Sequence, residues 1–361
     1  MGKKNELHDL HTSPAKAAAW AGLRYTSDDK PGITRKKAGK GFYYLNKKGE
    51  KVTDEKTLER INSLVIPPAW EDVWISSSPK GHLQATGRDE KGRKQYLYHT
   101  QWQQVRSLTK FGRMIAFGKH LPQLREKIEQ DISSPKLNRQ KVTALALKLI
   151  DNALIRVGNR HYAKSNKSYG LTTLRDRHVK INGSNLKFSF KGKKGVEHEI
   201  DMHDRRLARL VKKCKDIPGY DLFQYYDEDG ERQTLESGDV NEYLQEVTQE
   251  SFTAKDFRTW GGTVRMVECL EQVLDENPEL GKEKSIKESV KLVAKGLGNT
   301  PTVCSKYYIH PEVVRMFKED KLLKFLKKHD ATRSDTDYMS GTELLVLKML
   351  EKVAKEKKAQ A

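Results

Sequence analysis

The sequence predicts an α+β protein in two parts: a small antiparallel β-sheet domain over residues 1–104, N-terminal tail included, and a larger, mainly helical domain over residues 105–361. Two observations carry this reading. Between Gly41 and His99, short runs of aromatic and β-branched residues alternate with Gly, Pro and Asp turn signals, as strands and hairpins require. Beyond Trp102 the apolar spacing becomes that of a helix face, with Val105, Leu108, Met114, Ile115, Leu121, Leu124 and Ile128 on one stripe.

Residues before Ala19 mix Lys, His, Ser and Ala with no sustained period, and both this end and the charged stretch 351–358 are expected to be mobile. Phe42-Tyr43-Tyr44-Leu45 reads as a strand ahead of a turn at Lys48-Gly49. Residues 55–64 read as a short helix capped by Thr53 or Asp54, and Pro67-Pro68 breaks the pattern after it. Val73-Trp74-Ile75, His82-Leu83-Gln84-Ala85-Thr86 and Gln95-Tyr96-Leu97-Tyr98-His99 are strand patterns, the last following a turn at Lys91-Gly92. In the second part, residues 142–155 form another apolar helix. Two β-patches interrupt the helices: residues 171–202, with turns at Asn182-Gly183 and Gly192-Lys193-Lys194-Gly195, and residues 221–234 around Asp229-Gly230. Residues 240–349 read as successive helices.

A chain of 361 residues with 36% hydrophobic content can build two ordinary cores. Its 68 Lys and Arg against 49 Asp and Glu leave a formal charge of +19, which points to a polyanionic partner, nucleic acid before an anionic membrane. No apolar run approaches the ~20 residues of a spanning helix. Met1-Gly2-Lys3-Lys4-Asn5-Glu6 leads into no apolar stretch, so no signal peptide is expected and the protein is expected in the cytoplasm. Cys214, Cys269 and Cys304 are too far apart for a metal knuckle, and His161, His178 and His310 show no ligand spacing. Neither a nucleotide loop of P-loop spacing nor an acidic metal cluster is visible, so no metal and no cofactor are expected.

Three segments carry the chemistry. They are Arg156-Val157-Gly158-Asn159, then Lys255-Asp256-Phe257-Arg258-Thr259-Trp260-Gly261-Gly262, then Leu297-Gly298-Asn299-Thr300-Pro301 running through Tyr307-Tyr308-Ile309-His310-Pro311. A tyrosine, two arginines and a lysine in so basic a chain suggest covalent chemistry on a nucleic-acid phosphate. A phenol of pKa about 10 is mostly protonated at neutral pH, so its attack on a phosphodiester needs neighbouring cations. Guanidiniums stay charged and present a planar fork of donors to phosphate oxygens. By residue type alone a lone tyrosine is usually structural; the ordered motifs overturn that. In this order they resemble the type IB DNA topoisomerases, in their compact bacterial and poxviral branch, over residues 22–315.

The resemblance implies the fold that type IB topoisomerases share with tyrosine recombinases, with two domains closing around duplex DNA as a clamp and a single chain acting as a monomer at the nucleoid. It implies strand cleavage by Tyr308, a 3′-phosphotyrosyl link, swivelling of the free 5′-hydroxyl strand and religation, without ATP or metal. Arg156 and Arg258 would hold the phosphate. Lys193, at the hairpin tip, would protonate the leaving oxygen, with Lys191 and Lys194 as neighbouring alternatives. Nine positions before the tyrosine the family usually has a histidine, where this chain has Asn299. An amide still donates a hydrogen bond but brings no titratable charge. Tyrosine recombinases typically show His-x-x-Arg where this chain has Lys255-Asp256-Phe257-Arg258, and they lack a sheet domain carrying Ile66-Pro67-Pro68-Ala69-Trp70. A non-catalytic basic protein that coats DNA would share the charge but leave no covalent adduct. Outside the site, Arg88, Arg93, Lys94, Tyr96 and Tyr98 interleave cations with aromatics, as DNA contacts do, or form a solvated face. Tyr162 matches a groove-contacting tyrosine of poxviral relatives.

Overall fold

The computed structural model describes residues 13–359 apart from 40, 91, 93, 331 and 332. The chain divides into two compact units, Met1–Arg113 and Met114–Ala361. The first is built on a five-stranded antiparallel sheet of β1 (Ile33–Ala38), β2 (Gly41–Leu45), β3 (Glu71–Ile75), β4 (Leu83–Arg88) and β5 (Lys94–Tyr98), in the order β2-β1-β3-β4-β5. Among the described residues three helices accompany it: α1 (Pro14–Trp20), α2 (Glu55–Ser63) and α3 (Thr100–Gly112). Of the two caps expected for α2, Asp54 is the one used, its carboxylate accepting from the Thr57 amide at 2.8 Å. Ile33, Ile61, Val73, Ile75 and Ala85 form the core beside it.

Two elements of this unit lie outside the sequence reading, for different reasons. β1 offers only Ile33 to the core, so no alternation shows; its pairing with β2 and β3 holds it. Its Arg35 also accounts for the Pro67-Pro68 break, donating to the carbonyls of Pro67 at 3.1 Å and Trp70 at 2.5 Å and so satisfying a loop that has no ladder of its own. α1 is too short to show a period. Pro14 opens it, Ser13 caps it at 3.3 Å, and Ala17 and Ala18 pack with Leu23, Trp102 and Val105.

The second unit begins with α4 (Met114–Ser133), α5 (Arg139–Ala153) and α6 (Arg160–Asn166). A three-stranded antiparallel sheet follows, β6 (Val179–Asn182), β7 (Asn185–Lys191) and β8 (Glu197–His203), then α7 (Arg205–Lys215) and a hairpin of β9 (Gln224–Tyr226) and β10 (Arg232–Thr234). The rest is helical: α8 (Ser237–Thr248), α9 (Ala254–Glu276), α10 (Lys282–Leu297), α11 (Pro301–Tyr307), α12 (Pro311–Lys318), α13 (Lys321–His329) and α14 (Gly341–Ala359). The β-patch expected from residue 171 starts as two 3₁₀ turns, Leu171–Thr173 and Asp176–His178. The amides of Leu171 and Thr172 are taken by the carbonyls of Arg156 and Val157, at 2.8 and 2.7 Å, and so are not free to pair in a ladder.

α9 packs against α4, α5, α10 and α14 at the centre of this unit. Phe117 meets Phe252 and Phe257 edge to face, with ring centroids 5.2 and 5.1 Å apart. The charged C-terminal stretch, expected to fray, instead continues α14 to Ala359, held by Leu345, Val346, Met349, Leu350 and Val353 on its buried face. Among the described residues no helix is long and apolar enough to cross a membrane.

Candidate active site

Four of the five expected site residues come together where helix ends meet. α5 stops at Leu154, which takes the left-handed conformation (φ 53°) and turns the chain into the segment carrying Arg156. Backbone bonds to residues 171 and 172 fix that segment, and Gly158 (φ +106°) lies so close to Gly170 that a Cβ on Gly170 would meet the Gly158 nitrogen at 2.5 Å. α10 ends at Gly298, also left-handed (φ 57°), with the Gly298 amide bonded to Lys295 O at 3.1 Å and the Asn299 amide to Ala294 O at 2.9 Å. This paired closure is a Schellman turn, and it presents Asn299 just past the helix. Arg156 donates to the Asn299 Oδ1 and, at 3.5 Å, to the Gly298 carbonyl.

Arg258 stands in the second turn of α9 and is 3% exposed. Its guanidinium donates to the carbonyls of Leu154 and, at 2.9 Å, Leu297, at the two helix ends just described. It lies over the Tyr308 ring at 4.9 Å. Tyr308 follows α11, its amide bonded to Cys304 O at 2.9 Å. The Thr263 hydroxyl, which has the carbonyls of Thr259 at 2.9 Å and Tyr308 at 3.3 Å as acceptors for its one proton, accepts from the His310 amide at 3.0 Å. Gly262 leaves room for that backbone, since a Cβ there would sit 2.7 Å from the Tyr308 carbonyl oxygen. The neighbouring tyrosines separate cleanly. Tyr308 is 9% exposed against Arg258, whereas Tyr307 is 44% exposed, with Lys306 5.4 Å from its ring.

The electrostatics follow from this packing. Burial alone would raise the Tyr308 phenol, but Arg258, Arg156 and Lys255 outweigh it and hold the pKa below the usual value. Burial, then Arg156, pushes the Arg258 guanidinium down to about 10. Two buried donors of the cluster, Arg258 Nε and Asn299 Nδ2, have no partner among the described residues. Among the described residues no group of His, Cys, Asp and Glu side chains is arranged to hold a metal ion.

Lys193 stands apart from the four. It opens a tight turn, Lys193–Gly195, between β7 and β8, with its side chain exposed and, among the described residues, without an ion-pair partner. Lys191 pairs with Glu197 at 3.7 Å, and Lys194 takes the left-handed conformation (φ 64°). Sequence reasoning missed Lys255, Thr263 and His198. The last reaches from the same hairpin to Gly298 and feels both arginines. Of the expected DNA contacts, Arg88, Lys94, Tyr96 and Tyr98 are exposed in the first unit, where the two tyrosine rings stack 6.0 Å apart. Lys94 is paired with Asp28 at 2.5 Å. Arg93 lies outside the described residues. Tyr162 is exposed on α6 in the second unit.

Comparison with known proteins accounts for both units. Residues 99–335 match the catalytic core of eukaryotic DNA topoisomerase I, and residues 41–89 match the N-terminal domain of bacterial DNA topoisomerase IB. The chain is similar to the DNA topoisomerase 1B of Acanthamoeba polyphaga mimivirus, 35% identical over 83% of this chain and 91% of that protein. It is 24% identical to the DNA topoisomerase 1B of Vaccinia virus (strain Copenhagen), over 72% of this chain and 79% of the relative, and 24% identical to the DNA topoisomerase 1 of Rabbit fibroma virus, over 80% and 91%. With its tyrosine-centred site inside the catalytic-core match and the strands β2, β3 and β4 of its sheet inside the bacterial one, the chain belongs to the type IB DNA topoisomerases, enzymes of the isomerase class.

Proposed function

We propose that Tyr308 is the nucleophile of this topoisomerase, that Arg156, Arg258 and Asn299 hold the phosphate it attacks, and that Lys193 is the general acid. The observation that carries the reading is a phenol of lowered pKa against a buried guanidinium, in a cluster that keeps two buried donors unpaired. In the reaction the Tyr308 oxygen bonds to phosphorus and the bond from phosphorus to the 5′ oxygen breaks. The phenolic proton leaves to solvent and Lys193 protonates the departing oxygen. The product is a 3′-phosphotyrosyl ester beside a free 5′-hydroxyl, and the reverse step reseals the strand after rotation. The ester conserves the phosphodiester's energy, so ATP has no role to play. Arg156, Arg258 and Lys193 supply the positive charge that the pentacovalent transition state requires.

Relaxation of supercoiled plasmid should therefore proceed in EDTA without ATP, leaving a denaturant-resistant protein–DNA adduct when stopped in detergent. Tyr308→Phe should bind DNA and form no adduct, and Tyr307→Phe should form it. The reverse result would assign the wrong tyrosine, and a protein that merely coats DNA would yield neither relaxed plasmid nor adduct. We infer further that the enzyme acts as a monomer on duplex DNA in the cytoplasm, at the nucleoid. Every candidate residue comes from one chain, and the N-terminal match is to a bacterial domain.

A further inference from the structure

We propose that His198 is a positioning residue of the cleavage reaction: its ring docks the hairpin carrying Lys193 onto the turn carrying Asn299, so that the acid and the phosphate ligand keep one register. The inference rests on the reading of Lys193 as the acid.

Pairing between β7 and β8 sets Leu186 opposite Met202, Phe188 opposite Ile200 and Phe190 opposite His198. His198 therefore stands in the inward row of the hairpin, at its last position before the loop, where Leu186, Phe188 and Phe190 are buried. Its imidazole lies flat on Phe190, with ring centroids 4.9 Å apart and planes at 7°. Its edge fills the space that two glycines leave open. A Cβ on Gly192 would lie 2.6 Å from the His198 Nε2, and a Cβ on Gly298 would lie 2.1 Å from its Cε1. One ring thus touches the base of the Lys193 loop and the residue before Asn299, segments far apart in the chain. Gly298 has a second reason to be glycine, its left-handed backbone. Gly192 has none: its φ of −92° and ψ of −163° suit any residue, so the ring alone accounts for its missing side chain.

The loop itself is lightly held. Gly192 bonds to Val196 O at 2.7 Å and Gly195 to Gly192 O at 3.1 Å, which shape the turn without fixing its distance from the arginines. The docked ring supplies that distance. Burial, then Arg156 and Arg258, pushes the imidazole down to about 4, so at neutral pH it fills the seam without adding a cation to the cluster.

Single-turnover cleavage of two duplexes tests this, one with oxygen and one with sulfur bridging the scissile phosphorus and the 5′ carbon. A thiolate leaves without protonation, so sulfur relieves any defect in the acid and no defect in phosphate binding. A misplacement of about 1 Å costs on the order of 10²-fold. His198→Ala and Gly192→Ala should each cleave the oxygen duplex slower by about that factor and the sulfur duplex at nearly the wild-type rate, with thermal midpoints confirming folded protein. Gly192→Ala keeps the imidazole and displaces it, so the test does not depend on one variant folding. Lys193→Ala combined with His198→Ala should be no slower on oxygen than Lys193→Ala alone. Equal slowing of His198→Ala or Gly192→Ala on both duplexes, with Lys193→Ala rescued by sulfur, would overturn the inference and leave Lys193 as the acid. Wild-type cleavage of the oxygen duplex by His198→Ala would overturn it too. A Lys193→Ala enzyme that sulfur does not rescue would remove the acid reading and the inference with it.

Discussion

Asn299 presents the two ends of its amide to different tasks. Its Oδ1 accepts from Arg156, and the opposite amide orientation would set an NH₂ against a guanidinium, so Nδ2 is fixed as the outward donor. That donor is buried and unpaired, a state that costs about 1–3 kcal/mol until an acceptor arrives. A phosphate oxygen is such an acceptor, and the loss of one transition-state donor typically slows a reaction by ~10²–10³. Asn299→Ala should slow single-turnover cleavage by that factor with DNA affinity nearly unchanged; cleavage at the wild-type rate would reduce Asn299 to a turn residue. Asn299→His should stay active with a flat pH profile above about 6.5, the ordinary imidazole value. The same arginines that help push His198 to about 4 would keep the new ring neutral and donating. The clustering of Tyr308, Arg156, Arg258 and Asn299 was legible because each sits in a local motif whose order along the chain carries meaning. His198 was not, because its role depends on Gly298, a hundred residues away, and the sequence shows only its place in an alternating strand.

Helix ends, more than helix faces, shape the site. The carbonyls of Leu154 and Leu297 belong to the C-terminal turns of α5 and α10, groups that no intrahelical donor reaches, and one guanidinium satisfies both. The negative ends of two helix dipoles thereby favour the charged form of Arg258, whose burial opposes it. The long helices behind them are tied by a second arginine. Arg125 of α4 donates to Asp151 of α5 at 2.7 Å and to Glu343 of α14 at 2.7 Å, and Glu343 also accepts from the Trp260 indole of α9 at 2.8 Å. Glu343→Ala leaves a buried guanidinium and an indole N–H without that partner, which should lower unfolding free energy by ~3–5 kcal/mol in urea titration. A loss below about 1 kcal/mol would mean that water replaces the carboxylate, the level expected of an exposed pair. Periodicity announced α4 and α5, whose apolar stripes are broad. It passed over α1 and β1, where one or two buried residues per element set no period, and it undervalued α14, whose charges hide the apolar face that seats it.

Across the whole molecule, a formal charge of +19 announces a polyanion without saying which cations meet it. Many are committed inside the fold: Arg139 to Asp239 and Glu242, Arg333 to Glu271, and Arg206 to Glu129. Such pairs join residues distant in sequence, so composition cannot subtract them. Lys94 is the instructive case, exposed beside the stacked Tyr96 and Tyr98 yet only 2.5 Å from the Asp28 carboxylate, which also accepts from the Thr86 hydroxyl at 2.9 Å. If Lys94 meets a phosphate on duplex DNA, Lys94→Ala should flatten the log–log salt dependence of binding by about 0.9, one released counterion, and weaken binding alike on different sequences. Asp28→Asn should then leave the slope unchanged and tighten binding, because it frees the ammonium from its internal partner. If Lys94 serves Asp28 alone, neither substitution should move the slope, and Asp28→Asn should not tighten binding. Binding isotherms for the wild type and both variants, at several salt concentrations on one unrelated duplex, separate a DNA-facing cation from an internal one.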